Sequence, residues 1–220
     1  MSVSRGRHTG IPRLYLGESL VYHPDAQYKM GTPGQDVAVD YPWQRLDGQL
    51  AVRGVGGSDP SWAAITGLGN MYGYSFSPTA MNQLWVEFPI PHHYAPGTSL
   101  HLEIHWLNAA ATPNTGVVRW GIEYTVAKSH SQEAFGAPTT VYVEEASSAT
   151  RWTHQTSQMA AGDAITSTHL EPDSIVLLRI FRDADHVNDT CTDVVFLLGV
   201  NCHYQADRVG TPNRSPDFYA

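Results

Sequence analysis

Lysine is almost absent from the chain, which has only Lys29 and Lys128 among 13 basic residues. The formal net charge is −8 at pH 7. Together these features argue against a nucleic-acid-binding body, because binding to phosphates needs clustered positive charge. Cysteine is also scarce, with only Cys191 and Cys202. A hairpin could bring these two together in a disulfide, but two free thiols in a protein that folds in the cytoplasm are the simpler interpretation.

Long hydrophobic segments are missing as well. The longest apolar run, from Val194 to Val200, is too short to span a bilayer. Residues 1–7 carry charges but are not followed by the apolar core of a signal peptide. We therefore expect a soluble protein that is made in the cytoplasm and has no membrane partner.

Motifs that signal catalysis are not found. The chain has no Gly-x-Ser-x-Gly sequence, and neither cysteine lies in a local active-site signature. The adjacent acids Glu144 and Glu145 would point to opposite faces of a strand, so they cannot flank one bond. A glycosidase site assembled from distant strands stays open, since its two acids need no local motif. The sequence predicts a protein that is not an enzyme and that binds no cofactor.

What the sequence does have is strict alternation of apolar and polar side chains. Residues 99–107 alternate in this way, and residues 117–128 do so again after a turn-rich linker. A period of two gives each strand one buried face and one polar face. We expect these two strands to form a long antiparallel pair, with Trp106 and Trp120 in the core and residues 84–90 as a third strand.

The regular spacing of such segments predicts an all-β fold, an antiparallel β-sandwich of jelly-roll type. Residues 175–181 and 194–200 are apolar on both faces, which places them in the middle of a sheet or under a covering segment. Residues 49–53 form a plausible short strand, and residues 61–71 are the one helix that the pattern favours. The predicted strands are 84–90, 99–107, 117–128, 139–145, 150–156, 174–182 and 193–204.

The two ends of the chain differ from the middle. Residues 1–75 are punctuated by glycine and proline yet rich in tyrosine and tryptophan, which disordered tails lack. Residues 207–220 have no strand pattern and end in two aromatic residues after two prolines. We predict an extended N-terminal arm or region at 1–75, a β-sandwich domain at 76–206 and a C-terminal arm at 207–220. The arms could dock on the same chain or on a neighbour.

The polar face of the strand at 99–107 carries His101, Glu103 and His105. Side chains four apart on a strand are separated by roughly 13 Å, so the two histidines cannot bind one metal ion unless the strand bends. A cupin-like site would add a distant ligand such as His203, but the spacing does not match that pattern. We expect an exposed polar face without metal, in which Glu103 raises the pKa of the histidines. Arg119 and Glu123 are candidates for the strand opposite.

The stretch from Asp183 to Asp193 is the most acidic in the chain. Asp183 and Asp185 begin the alternate spacing of a calcium loop, but Val187 occupies the third ligand position and no glycine follows. A solvated hairpin loop is favoured over a calcium site.

Three segments resemble a family of tailed-bacteriophage virion proteins. They are residues 85–97 (WVEFPIPHHYAPG), residues 102–106 (LEIHW) and residues 117–124 (VVRWGIEY). In that family a proline- and glycine-containing turn precedes a strand of HxHW type, and a strand of W-x-x-x-Y type follows. The late His-Tyr strand and the ending Phe-Tyr are also similar. The resemblance covers residues 84–220 and not residues 1–75.

The resemblance implies a β-sandwich that assembles on the phage particle, such as a capsid decoration or cement protein. Its expected partners are other copies of itself, plausibly as a trimer, and the major capsid protein or other virion proteins. A tail, fibre or head-to-tail connector component is an alternative, and so is a carbohydrate-binding β-sandwich module. The candidate interaction residues are Arg5, Arg7, Arg13, Tyr15, Tyr22, Tyr28, Trp43, His101, Glu103, His105, Phe218 and Tyr219.

Overall fold

The structure, a computed structural model, describes residues 41–54, 58–129, 132–166, 168–207, 210, 211, 213 and 214, and the backbone of three earlier strands. The strands are β1 (Val3–His8), β2 (Ile11–Leu16), β3 (Ser19–Tyr22), β4 (Trp43–Asp47), β5 (Gln49–Ala51), β6 (Ser61–Ala64), β7 (Tyr72–Phe76), β8 (Gln83–Pro89), β9 (His101–Asn108), β10 (Val117–Ala127), β11 (Thr139–Ala146), β12 (Gln155–Gln158), β13 (Ile175–Arg182) and β14 (Val195–Gln205). A short 3-10 turn lies at Ala161–Asp163.

Two antiparallel sheets form a sandwich. The first has five strands in the order β11-β10-β13-β8-β5, and the second has the order β12-β9-β14-β7-β6, with β4 also paired to β14. Strands β1, β2 and β3 pair with each other in a separate antiparallel sheet. The predicted all-β sandwich of jelly-roll type is confirmed.

The core lies between the two sheets, and its largest members are two tryptophans. Trp106 of β9 and Trp120 of β10 are both fully buried, with ring centroids 6.3 Å apart. Phe76 of β7 packs edge-on against Trp120 at 5.1 Å. The sequence correctly assigned both tryptophans to the core.

The predicted pairing of the strands that carry these tryptophans is wrong. β9 and β10 lie in opposite sheets, where β9 pairs with β12 and β14 while β10 pairs with β11 and β13. The predicted third strand is present as β8 and pairs with β13 and β5. Alternation shows that a strand has one buried face, and both inner faces of a sandwich satisfy that pattern equally. The alternation of apolar and polar residues does not show which strand is hydrogen-bonded to which.

Strands β13 and β14 each lie in the interior of a sheet, as their apolar character predicts. β13 is flanked by β10 and β8, and β14 is flanked by β9 on one edge. The other edge of β14 is shared, because its beginning pairs with β7 and its end pairs with β4. Their outer faces are nevertheless partly exposed, since Leu177 of β13 is 38% exposed and Leu198 of β14 is 42% exposed. The apolar character of these strands therefore reflects a position inside a sheet and not complete burial of both faces.

The predicted helix at 61–71 is wrong. Residues Ser61–Ala64 form β6, which pairs with β7. The connection between them contains Gly67 and Gly69, both with positive φ, and a left-handed backbone conformation interrupts a helix. Within the described part of the chain, no helix has the length and apolar character needed to cross a membrane.

Four strands from before residue 76, β4 to β7, pair within the sandwich sheets. The short strand expected at 49–53 is therefore present as β5. The division of the chain into a 1–75 region, a 76–206 domain and a C-terminal arm stays a prediction.

The acidic loop after β13 is solvated at its middle, where Val187 is 84% exposed, but it is not the hairpin loop that the sequence predicts. It connects β13 and β14, which lie in different sheets. The side chain of Asp189 is 1% exposed and accepts from Arg182, with Nη2 at 2.8 Å from Oδ1 and Nε at 2.9 Å from Oδ2. Arg182 also donates Nη1–H to the Asp193 carbonyl at 2.7 Å. A buried bidentate ion pair therefore holds the loop against the core. Both cysteines are free and buried.

Phenylalanine substitutions should separate the two core tryptophans. Trp106 donates Nε1–H to Ser157 Oγ at 2.9 Å, whereas Trp120 Nε1 has no partner among the described residues. Trp106→Phe leaves a buried hydroxyl unpaired, so it should cost about 1–3 kcal/mol more in the free energy of unfolding than Trp120→Phe. Denaturant titration of both variants measures the difference. Equal costs would contradict this assignment of the indole hydrogen bonds.

Candidate functional site

A set of polar side chains covers the outer surface of the six-stranded sheet. The register of the strands brings them together, since Glu103 lies opposite both Gln158 and Asn201, while Asn201 lies opposite Asp47. In the next row His203 lies between His101 and Arg45. We call this surface the polar face, and its members are Trp43, Arg45, Asp47, His101, Glu103, His105, His154, Gln158, Asn201 and His203.

A β-bulge in β14 determines which of its side chains reach the polar face. The register between β14 and β9 shifts between Leu197 and Gly199. Before the shift, odd-numbered residues are buried in the core, and after it even-numbered residues are buried: Val195 and Leu197, then Val200, Cys202 and Tyr204. The extra residue therefore turns Asn201 and His203 outward.

Glu103 is the centre of the hydrogen bonding on this face. It is 8% exposed. Gln158 donates Nε2–H to Glu103 Oε1 at 2.7 Å, and His203 Nε2 lies 3.1 Å from Glu103 Oε2. His105 Nε2 is 3.5 Å from the same oxygen. Gln158 and His203, which belong to two other strands, thus hold this carboxylate in place.

His105 connects Glu103 to two further residues. Asn201 donates Nδ2–H to His105 Nε2, so that the ring proton is on Nδ1. His105 Nδ1 donates in turn to His154 Nε2 at 2.9 Å, and the two rings stack with centroids 5.0 Å apart. Asn201 Oδ1 is buried and has no partner among the described residues.

Burial and these contacts shift the pKa values of both groups downward. For Glu103, burial raises the pKa, but the hydrogen bond from Gln158 and the nearby His105 and His203 outweigh burial. For His105, burial lowers the pKa, and His154 and Arg45 lower it further against the opposing effect of Glu103. The expectation that Glu103 raises the pKa of His105 is wrong in its net direction, because desolvation of the imidazolium is the larger effect.

A groove runs beside this network. Its volume is about 300 Å³, and its lining residues are Trp43, His101, Leu102, Glu103, Gln158, Met159 and His203. The Trp43 side chain stands at its rim, 53% exposed. His101 supports the indole edge-to-face, with ring centroids 5.4 Å apart. The groove therefore combines an exposed aromatic ring with a largely buried carboxylate.

The arrangement is suited to binding rather than to proton transfer. A general base works best with a pKa near the working pH, whereas the pKa of Glu103 is lowered and its oxygens already accept hydrogen bonds. The described residues contain no group of three histidine, cysteine or acidic side chains arranged to hold a metal ion. His203 does reach Glu103, as a cupin-like site would require, but without the further ligands.

Two further candidates from the sequence, Arg119 and Glu123, lie away from the polar face. Arg119 and Glu123 are not opposite the histidines; they lie on the outer surface of the five-stranded sheet, because β10 belongs to that sheet. There Arg119 Nε is 2.9 Å from Asp183 Oδ2, and Arg179 Nε is 2.7 Å from Glu123 Oε2.

The side chains of the N-terminal and C-terminal candidates lie outside the described part of the chain. This applies to Arg5, Arg7, Arg13, Tyr15 and Tyr22, for which only the backbone strands are described, and to Tyr28, Phe218 and Tyr219.

Sequence reasoning missed five members of the polar face, which are Arg45, Asp47, His154, Gln158 and Asn201. Arg45 and Asp47 belong to β4, which was not predicted as a strand. His154 and Gln158 belong to β12 or its edge, which at four residues is too short to show a period. Asn201 is concealed by the bulge, since the odd-numbered positions of β14 are apolar before it. The sequence carries no local signal for either effect.

No family model matches the chain, and no curated protein matches it. Among solved structures, it is similar to a xylan-binding module, CBM15, with a TM-score of 0.38 and 10% identity, covering 77% of this chain and 100% of that one. It is similar to the Clostridium thermocellum xylanase 10B fragment with CBM22-1 and GH10 modules, with a TM-score of 0.32 and 11% identity, covering 78% of this chain and 27% of that one. It is also similar to a chain from infectious bursal disease virus, with a TM-score of 0.35 and 12% identity, covering 87% of this chain and 38% of that one.

The burial of His105 predicts a pH dependence of folding. Unfolded histidine binds a proton near pH 6.5, whereas folded His105, with its lowered pKa, resists protonation. Its contribution to stability is therefore complete above pH 6.5 and is lost progressively as the pH falls from there to the folded pKa. His105→Gln should reduce the fall in unfolding free energy between pH 7.5 and pH 5.

Denaturant titrations of the wild type and the variant at several pH values measure this slope. His93 has a lowered pKa for the same reason, burial, so part of the slope should remain in the variant. A variant that keeps the full wild-type slope would show that His105 is not the group responsible.

Proposed function

We propose that this chain is a non-enzymatic structural protein of a tailed-phage particle, specifically a capsid decoration or cement protein that binds between neighbouring subunits through the polar face. The observation that carries the proposal is the hydrogen-bonded network around Glu103, which holds polar groups of β9, β12 and β14 in one orientation on an outer surface. A rigid polar surface favours specific association, because little side-chain freedom is lost on binding.

The sequence resemblance to phage virion proteins supports the same proposal. Residues 102–106, which carry part of it, lie within β9. This strand supplies Trp106 to the core and Glu103 and His105 to the polar face. The resembling segment therefore builds both the sandwich and the surface that we assign to assembly.

The expected partners are other copies of this chain, plausibly in a trimer, and the major capsid protein, with the assembled virion as the location. An interface with charged and polar groups that are already hydrogen-bonded to one another is typical of subunits that fold separately before they associate. A tail, fibre or head-to-tail connector position would use the same face, and imaging of particles that carry the labelled protein distinguishes these positions.

Charge reversal at the polar face tests its role. The Arg45 and Asp47 side chains are 57% and 71% exposed and form an ion pair of 2.9 Å, so Arg45→Glu leaves the core untouched. It should weaken binding to particles that lack the protein by about tenfold, since charged pairs at interfaces of this kind contribute on the order of 1.5 kcal/mol. Co-sedimentation with those particles measures the effect.

Arg53→Glu is the matched control, because Arg53 is also exposed and paired with a carboxylate, Asp59, at 3.5 Å, but it lies outside the polar face. It should bind like the wild type. Equal binding by both variants would remove the polar face from the interface. A wild-type chain that does not bind particles would contradict the virion role itself.

Deletion of residues 1–20 tests the predicted arm. These residues include Arg5, Arg7 and Arg13, a basic segment on an acidic chain, which we expect to seek an acidic groove of the capsid. The deletion removes β1, β2 and the start of β3 but no strand of the two sandwich sheets. The truncated protein should therefore keep the cooperative unfolding transition of the sandwich and lose affinity for particles. Undiminished decoration by the truncated protein would refute the arm hypothesis while leaving the sandwich assignment in place.

A further inference from the structure

The groove beside Glu103 has features that assembly between subunits does not require. Trp43 projects from β4 with 53% of its surface exposed, although a tryptophan side chain gains most from burial. Its contact with His101 orients the ring through its edge, at an interplanar angle of 76°. The exposed indole is therefore fixed in orientation while remaining accessible at the rim of the groove.

The interior of the groove offers fixed hydrogen-bond acceptors. A carboxylate has about four lone-pair positions, and Glu103 uses one on Oε1 for Gln158 and one on Oε2 for His203. One position on Oε1 is thus left for a further donor. Gln158 donates its amide to Glu103, which leaves its own Oε1 as an acceptor. Because Nε2 of His203 faces Glu103, its Nδ1 is the acceptor nitrogen of the neutral ring.

We propose that this groove is a binding site for a short neutral carbohydrate, a property beyond the proposed assembly role. The sugar ring stacks on Trp43, and its hydroxyl groups donate to Glu103, Gln158 and His203. Sugars present an apolar ring face beside a row of hydroxyl donors, which matches an exposed indole next to fixed acceptors. A volume of about 300 Å³ is at the lower end of small-molecule sites, so a short saccharide fits better than a folded partner.

The negative charge of the groove favours neutral sugars over acidic ones. Glu103 is ionised at neutral pH because its pKa is lowered, so a uronic acid or a phosphate-bearing sugar meets a negative charge. The residues that line the groove include no lysine or arginine that could compensate for that charge. An apolar ligand is disfavoured as well, since it would cover the acceptors without pairing them.

A second exposed tryptophan provides an internal comparison. Trp62 of β6 is 60% exposed, and its ring lies against Tyr72 and Tyr74, with centroids 6.2 Å and 4.8 Å away. This cluster can stack on a ring, but Trp62 does not line the groove that contains Glu103. Trp62→Ala is therefore the matched control for Trp43→Ala, with an equally accessible indole removed at another place.

Calorimetric titration of the full chain with hexasaccharides of glucose, xylose, mannose, galactose and N-acetylglucosamine tests the proposal, with hexagalacturonate as the charged counterpart. At least one neutral hexasaccharide should bind, and Trp43→Ala should weaken that binding by about tenfold, the equivalent of one aromatic stacking contact. Trp62→Ala should change it less than twofold. Glu103→Gln keeps the shape of the side chain and removes its charge. It should weaken binding of the neutral hexasaccharide and reduce the difference in affinity between that sugar and hexagalacturonate.

Three results would overturn the site. They are no binding by any neutral hexasaccharide, full binding by Trp43→Ala, or tighter binding of hexagalacturonate than of the neutral sugars. Circular dichroism of each variant confirms that the sandwich is intact. Particle co-sedimentation is scored separately, so a failed sugar titration leaves the assembly role standing, and a failed particle assay leaves the sugar site standing.

Discussion

The pairing of β9 with β14 is the constraint on which the rest of the structure depends. It runs from Asn108 opposite Val195 to His101 opposite His203, along nearly the full length of both strands. Its inner side supplies Trp106 and Leu197 to the core, and its outer side supplies Glu103 to the polar face. Because one ladder carries both sets of side chains, the same backbone pairing positions the hydrogen-bonded surface and the hydrophobic core beneath it.

The two outer surfaces of the sandwich are polar for different reasons. On the five-stranded sheet, Arg119 and Arg179 pair with carboxylates and lie over the rings of Tyr142 and Phe181 at 3.9 Å and 4.4 Å. Arginine keeps its charge at any pH at which the protein is folded. On the six-stranded sheet the Glu103 carboxylate lies beside imidazoles instead, with His203 Nε2 at 3.1 Å and His105 Nε2 at 3.5 Å from Oε2. The first surface is therefore held by ion pairs of guanidinium groups, and the region around Glu103 on the second is held by hydrogen bonds.

Sequence periodicity predicted what depends on a single strand and failed where two strands had to be related. The burial of Trp106 and Trp120 follows from alternation within β9 and β10, and the interior position of β13 follows from its apolar outer residues. That β9 and β10 belong to opposite sheets does not follow, since either side of the core demands the same alternation. Likewise, Glu103 lies two residues from His105 in the sequence, but burial has the largest effect on the pKa of His105, and burial is a property of the folded sheet. The sequence thus predicted the part of the polar face that belongs to β9. It did not predict that β4, β12 and β14 supply the rest.

The bulge at Leu197–Gly199 has a consequence for how such a protein can change over time. After the bulge, the extra residue switches which alternate side chains of β14 face outward. Loss of that residue would place Val200 and Cys202 on the outer surface in place of Asn201 and His203. Point substitutions alter a recognition surface one side chain at a time. An insertion or deletion at this position would replace a whole row at once, at the expense of the core behind it. The register at the bulge therefore links the chemistry of the outer row of β14 to the packing of its inner row.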